Sequence, residues 1–318
     1  MINTDVIIVG GGPAGASCAW ELKKHGVDFL LLEKATFPRS KTCAGWITPQ
    51  VMHNVQLDPA AYSGNFSTFH RFTIEIKQVR FELPTLQHAI RRVEFDAWLI
   101  DRVKEQVLQH LVAEIREEGG FYLVDGKYQA RYLIGAGGTH CPVKRALFTD
   151  SEPSQHGTLI IAQEEEFSYA GASDRCHLWF LQDGLPGYAW YFPKNDGVVN
   201  VGVGGAAARL KKNNQTIKYH WKILEEKLER YGLVRERSFQ PVGYSYYLRA
   251  RSPMLRVGNA MLIGDALGLS TLDMGEGIGP AIQSGINAAQ AIIQKKPYRL
   301  SNIPRFSFPS LLQLRLHL

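Results

Sequence analysis

The sequence predicts an α/β fold in which a Rossmann-like domain is interleaved with an antiparallel β-sheet domain, and three observations predict it. A β-branched run, Asp5-Val-Ile-Ile-Val9, passes directly into Gly10-Gly-Gly-Pro-Ala-Gly15, then a helical pattern, then a second apolar run that ends at Glu33. This is the order of a β-α-β unit whose strands are buried on both faces of a parallel sheet. A further buried run, Ala260-Met-Leu-Ile-Gly-Asp265, precedes a helix of small residues near the C-terminus. Between these segments lie short strands separated by Gly, Asp and Asn turns, the pattern of antiparallel sheet.

Taken in order, Ala16 to His25 reads as a helix with Ala16, Ala19, Trp20 and Lys23 at spacings of three and four, and Gly26 stands at its stop. Val27 to Glu33 is the second strand. Residues 34–64 are irregular and longer than an ordinary connection, which marks them as functional or loosely ordered. Phe72 to Leu83 alternates apolar and polar residues about a Lys77-Gln78 turn. Val93 to His110 predicts an amphipathic helix, Leu111–Ile115, Phe121–Asp125 and Arg131–Ile134 predict strands, and the last of these enters Gly135-Ala-Gly-Gly138. Strands are expected at His177–Gln182, Gly187–Pro193, Val198–Val203 and Val242–Leu248, with helices at Ile217–Tyr231 and Gly279–Gln294. The resulting division places 1–70, 88–155 and 245–296 in the first domain, 71–87 and 156–244 in the second, and 297–318 in a short tail.

With 318 residues, 45% apolar and 21% charged, the composition excludes disordered, collagenous and coiled-coil chains. No run approaches the roughly 18 apolar residues of a membrane span. The N-terminus shows no signal-peptide pattern, and Cys18, Cys43, Cys141 and Cys176 form neither a metal-ligand spacing nor a disulfide framework, so a reducing, cytoplasmic setting is expected. A scattered net charge of +6 argues against nucleic acid as partner and is compatible with peripheral contact with an anionic membrane.

Gly10, Gly12 and Gly15 stand between a strand and a helix, with Pro13 and Ala14 opening that helix. One glycine permits the tight turn, one admits a pyrophosphate to the backbone, and one allows close helix–strand packing, while the helix N-terminus faces the phosphates. Glu33, followed by Lys34, ends the second strand about 20 residues further on, where a carboxylate can take both hydroxyls of an adenosine ribose. The plain alternative is a glycine turn with a surface glutamate. All the structural conditions of the motif are met, and an adenine dinucleotide is expected.

The ordered set Gly10-x-Gly-Pro-Ala-Gly15, Arg39-Ser-Lys-Thr-Cys-Ala-Gly45, Arg92-x-x-Phe-Asp-x-x-Leu99, Gly187-Tyr-x-Trp-x-Phe-Pro193 with Asn200-Val-Gly-Val-Gly204, and Gly264-Asp with Gly275-Glu-Gly-Ile278 resembles the geranylgeranyl reductase family. That family lies within the flavoproteins of the p-hydroxybenzoate hydroxylase fold, and the resemblance covers about residues 4–295. It implies FAD as cofactor, with Asp265 at the ribityl or pyrophosphate part and Gly275 and Gly277 giving the backbone access to the flavin ring. The helix that starts near Ile278 would aim its positive end at the reduced ring. Taken alone, Gly264-Asp265 could equally be a helix cap.

The resemblance also implies that Arg92 reaches the cofactor, whereas Arg91 is expected to be solvated. Lys41, Cys43, Ala44 and Gly45 belong to a loop beside the ring; Cys43 is either a participant in the chemistry or an inert thiol. Ala136 and Gly137 carry over only a backbone role, because the acidic residue usual in related flavoproteins is absent there. Tyr188, Trp190 and Phe192 share one strand face and are either the wall of an apolar substrate chamber or ordinary core. Many members of the family extend well beyond the position of Gln294, so a lipid-enclosing C-terminal part is expected to be missing.

The expected activity is transfer of hydride from reduced flavin to a carbon–carbon double bond of an apolar, prenyl-like small molecule or lipid. The alternatives are a flavin-dependent aromatic monooxygenase and a non-catalytic flavin- or lipid-binding protein. No second glycine-rich unit is present for a nicotinamide, so NADPH, a ferredoxin or another flavoprotein all stand as electron donors.

Overall fold

In the computed structural model the N-terminal β-branched run becomes β1 (Ile2–Val9), which feeds α1 (Pro13–Lys24) and β2 (Phe29–Glu33). Residues 1–149 and 157–312 are described; the expected boundary at 155/156 and residues 313–318 of the tail lie outside them. Val6 to Val9, Leu31 and Leu32 are buried, as strands covered on both faces require.

The first sheet is completed by β6 (Val107–Gln109), the hairpin β7 (Ile115–Glu118) and β8 (Phe121–Val124), β9 (Tyr128–Gly135), β15 (Arg256–Val257) and β16 (Ala260–Leu262). Its order is β15-β16-β9-β1-β2-β6, parallel from β16 to β6. The late strand β16 thus lies two places from β1, and its C-terminal end opens beside the glycine turn.

Helix α7 (Ile278–Ile293) packs directly on α1. The contact is made by small residues because the backbones nearly touch: a Cβ on Gly285 would lie 2.2 Å from the Ala14 carbonyl oxygen.

The second sheet runs β14 (Val242–Tyr247), β10 (Leu159–Ser168), β13 (Val198–Ala206), β12 (Gly187–Lys194), β11 (Cys176–Phe180), β4 (Phe66–Ile76), β5 (Val79–Ile90), β3 (Trp46–Ile47). All its pairings are antiparallel except β11 with β4.

Strand alternation sorts this sheet into two faces. One carries Trp179, Tyr191, Val199, Val201 and Val203, covered by Trp221, Leu224 and Leu228 of α6 (Ile217–Arg230), just after α5 (Ala207–Lys212). The other carries Tyr188, Trp190 and Phe192 and looks toward the first sheet. Gly202 is a glycine because the Trp190 indole lies over it; a Cβ there would come 2.1 Å from that ring.

Several expectations are corrected. The segment 34–64 contains β3 and α2 (Pro49–Val55), capped by the Thr48 hydroxyl that accepts the Val51 N–H at 3.4 Å. The helix expected to reach His110 ends early, as α3 (Arg92–Asp101). Val107 leaves the helical register to pair with Leu31, because a parallel partner is open at the edge of β2, so the strand falls at 107–109 and not at Leu111–Ile115. The second sheet takes residues from Trp46–Ile47, Phe66–Ile90 and up to Tyr247, so the divisions at 70/71, 87/88 and 244/245 do not follow the sheets.

After α4 (Pro142–Leu147) and the intervening sheet, the described part of the tail packs back onto the body. Tyr298, Leu300 and Ile303 are buried in the core around the first sheet, and Leu311 of α8 (Phe308–Leu311) packs with Trp46, Phe72 and Trp190 on the face of the second sheet opposite α6. Replacement of Gly202 by Ala should force the Trp190 ring aside and lower stability by about 1–3 kcal/mol. Urea unfolding of G202A checks this, and an unchanged midpoint contradicts it.

Candidate functional site

A cavity of about 1560 Å³ lies between the C-terminal ends of β1, β2, β9 and β16 and the Trp190 face of the second sheet. Ordinary small-molecule sites occupy roughly 300–1,000 Å³, so this one has room for a dinucleotide and a further ligand together.

At one end, Gly10 turns the chain with φ +112°, and a Cβ there would sit 2.5 Å from the Ala136 carbonyl oxygen. Gly12 is the N-cap of α1, with no side chain capping the first turn, so Gly12 and Ala14 leave the helix N-terminus facing the cavity beside Pro13. Glu33 is buried, with its carboxylate accepting the N–H of Gly11 at 2.6 Å and of Ala35 at 2.9 Å. Its remaining lone pairs face the cavity, where Lys34, His110, Leu111 and Val112 complete the wall.

The middle of the cleft is cationic. Arg92 is held through two 2.8 Å bonds to the fully buried Asp96, and Arg39 reaches the same carboxylate at 3.5 Å. Among the described residues the Nε of Arg39 is buried without a hydrogen-bond partner, close to Gly12, whose Cβ position lies 3.8 Å from the Arg39 Nη2. Asp265, Ala136 and Gly137 line the opposite wall. Arg91 is partly solvated, as expected in part, and is also ion-paired: it donates to Glu166 at 2.8 Å and Glu94 at 3.2 Å.

The far end is built from two loops and the second sheet. Lys41, Cys43 and Ala44 form one side, and Gly275, Gly277 and Ile278 at the N-terminus of α7 form another. Gly275 has φ +62°, and a Cβ there would strike the Tyr246 hydroxyl at 2.4 Å. The Cys43 thiol accepts the Gly45 N–H at 3.5 Å and is partly accessible, whereas burial pushes the thiols of Cys18, Cys141 and Cys176 up. Trp190 and Phe192 are buried, Tyr188 is half-buried, and all three line the cavity, so the chamber and core readings both describe them. Tyr188 donates to the Met274 carbonyl at 2.6 Å and Trp190 to Asn200 at 2.8 Å, which fixes both rings. Glu276 is half-buried at the cavity wall and its carboxyl is pushed up to about 7, chiefly by desolvation.

Three residues of the sequence-derived set do not line the cavity: Gly15, Gly45 and Gly264. They are packing glycines, whose Cβ atoms would lie 1.9 Å from the Gly10 oxygen, 2.0 Å from the Ile90 oxygen and 2.9 Å from the Ala14 Cβ. Conversely, sequence reasoning did not single out Arg39, Asp96, His110, Tyr244 or Tyr246. Arg39 and Asp96 sit inside the quoted motifs, and Tyr244 and Tyr246 alternate on one strand, which is the signal that could have found them.

Residues 5–97 match the family of FAD dependent oxidoreductases, and residues 159–246 match the geranylgeranyl reductase catalytic domain. An uncharacterized protein of Methanosarcina barkeri is 31% identical over 309 residues, covering 92% of this chain and 75% of the relative. Digeranylgeranylglycerophospholipid reductase 2 of Methanopyrus kandleri is 29% identical over 248 residues, covering 73% of this chain and 61% of the relative. Among solved structures, a geranylgeranyl bacteriochlorophyll reductase-like protein of Thermoplasma acidophilum superposes with a TM-score of 0.77 at 21% identity, over 92% of this chain and 79% of that one. The enzymatic reading therefore stands over the non-catalytic one, and the chain belongs to the geranylgeranyl reductase family of FAD-dependent oxidoreductases.

Proposed function

We propose that this enzyme reduces carbon–carbon double bonds in the prenyl chain of an apolar lipid. The observation that carries the reading is the continuity of a dinucleotide-shaped cleft with an aromatic chamber in one cavity. The residues present suit FAD: the partnerless Arg39 Nε beside the open N-terminus of α1 is the arrangement a pyrophosphate would complete. Glu33 would take the adenosine ribose and Asp265 the ribityl or pyrophosphate part, with Cys43 and the Gly275–Gly277 turn at the ring. When bound and reduced, FAD supplies a hydride.

The chain's own contribution is to bind, orient and exclude water. Asp96 holds Arg92 and Arg39 so that neither collapses into the cleft when it is open. Tyr188, Trp190 and Phe192 offer an apolar wall whose polar atoms are already satisfied inside the protein, which suits a hydrocarbon chain with nothing to donate or accept. Digeranylgeranylglycerophospholipid, named in the Methanopyrus kandleri relative, supports a prenyl lipid as substrate class.

Anaerobic mixing of the reduced holoenzyme with a geranylgeranyl lipid should reoxidise the flavin and add two hydrogens per double bond, seen by mass spectrometry. Oxygen-dependent hydroxylation of an aromatic compound without such reduction would contradict the reading. Trp190→Ala should raise the lipid KM far more than it lowers FAD content, and equal loss of both would assign Trp190 to the core alone. Arg39→Ala should weaken FAD binding about tenfold or more, the loss of one charge-assisted contact, measured by flavin fluorescence titration; an unchanged Kd would remove Arg39 from the cofactor site.

A further inference from the structure

Reduction of a double bond consumes a proton as well as a hydride, and a buried acid stands behind the chamber wall. Glu164, on the cavity-facing side of β10, is 4% exposed. It accepts the Tyr244 hydroxyl and the Asn200 amide, each at 3.4 Å, and the backbone N–H of Cys43 also points at it. Tyr244 lines the cavity, and Asn200 holds the Trp190 indole, so Glu164 is one side chain away from the chamber in two directions.

Behind it, Lys194 has a fully buried side chain and donates to Glu166 at 2.5 Å, and Glu166 takes Arg91, whose side chain is 33% exposed. Lys194 and Glu166 thus stand between the partly exposed Arg91 and Glu164, and Lys194 acts on Glu164 through its charge. The single ammonium is bonded to Glu166, which separates the two carboxyls: Glu166 is held below the usual range, whereas burial pushes Glu164 up to about 7 despite the nearby Lys194. The groups facing Glu164 are Lys194 from β12, Glu166 from its own strand, Asn200 from β13, Tyr244 and Tyr246 from β14, and Cys43 from the preceding loop. Tyr188 is a poorer candidate donor because its hydroxyl is held by the Met274 carbonyl, which carries no proton to return, whereas a protonated Glu164 can donate to the Tyr244 oxygen.

We propose that the Tyr244 hydroxyl presents the proton to the substrate and that Glu164 is the positioning residue that replaces it. This rests on the double-bond reduction set out above. Reduced FAD, when bound, would supply the hydride for one C–H bond, and the π pair of the double bond would take the Tyr244 proton to form the second. The Glu164 proton passes to the phenolic oxygen, and Glu164 regains one from solvent on the Arg91 side. The alkene is reduced by two electrons and FAD is oxidised by two. A phenol in apolar surroundings resists ionising, so the carboxylic acid behind it is what permits the transfer.

Infrared titration of the flavin-free protein between about pH 5 and 9 should show protonated carboxyl absorption from Glu164 and Glu276 that disappears near pH 7, and the Glu164 share of it should be missing in Glu164→Gln while the Glu276 share remains. In anaerobic single turnovers of the reduced holoenzyme with a geranylgeranyl lipid, the wild-type rate should fall above about pH 7, since the acid form is the donor. Glu164→Gln should be about a hundredfold slower and lack that limb. Tyr244→Phe should be comparably slow while retaining the Glu164 band, with FAD content and melting temperature as the check on folding in both variants. A Glu164 carboxylate ionised throughout this range, or a Glu164→Gln or Tyr244→Phe enzyme with the wild-type rate and pH limb, would overturn the proposal. A wild-type enzyme that reduces no double bond at any pH would instead refute the reaction itself, and the proton role would fall with it.

Discussion

Everything in this molecule depends on backbone segments that touch without side chains between them. The glycine turn after β1 presses on the Ala136 carbonyl, Gly15 on the Gly10 carbonyl, and α7 on α1 through Gly285. These approaches bring the start of the chain and the segment around Asp265 to a common edge of the first sheet. Had any of them carried a larger side chain, the helices would stand further apart and the cleft between β1, β9 and β16 would lose its shape. The parallel order β16-β9-β1-β2 then sets the strand ends side by side, where ligands bind in open α/β sheets.

The second sheet completes the enclosure by being buried on both faces for different reasons. One face is closed by α6, so its Val and aromatic residues form an ordinary core. The opposite face carries aromatic rings on β12 and β14, a glycine, Gly202, that makes room for Trp190, and the buried carboxyl of Glu164. A carboxyl in such a place is costly to ionise, and the nearby lysine is bonded to Glu166 and not to it. The same sheet thus supplies an apolar wall and an acid within reach of it.

Much of this arrangement is written in local sequence. The turn Gly10–Gly15 and Glu33 are legible because their spacing has one physical use, and Tyr188, Trp190 and Phe192 because a strand puts alternate residues on one face. The hairpin at Lys77-Gln78 is legible for the same reason, and Lys77 adopts φ +56° there. Helix α2 is not, because its apolar stretch is short and its stability comes from packing on α7 and from the Thr48 cap. The end of α3 is hidden for a related reason: Val103 and Val107 suit a helical period, and only the open edge of β2 decides that Val107 becomes strand. Arg91 and Arg92 are adjacent and chemically alike, yet Arg92 turns to Asp96 while Arg91 turns to Glu166 on another strand, a choice made by tertiary contacts.

The most direct test of the whole account is a crystal structure of the protein with FAD. One molecule per chain should lie with its adenosine at Glu33, its pyrophosphate between Arg39 and the start of α1, and its ring between the Cys43 loop and the Gly275–Gly277 turn, with the Trp190 chamber open in front of it. A flavin held elsewhere, or one whose adenosine lies away from Glu33, would contradict it.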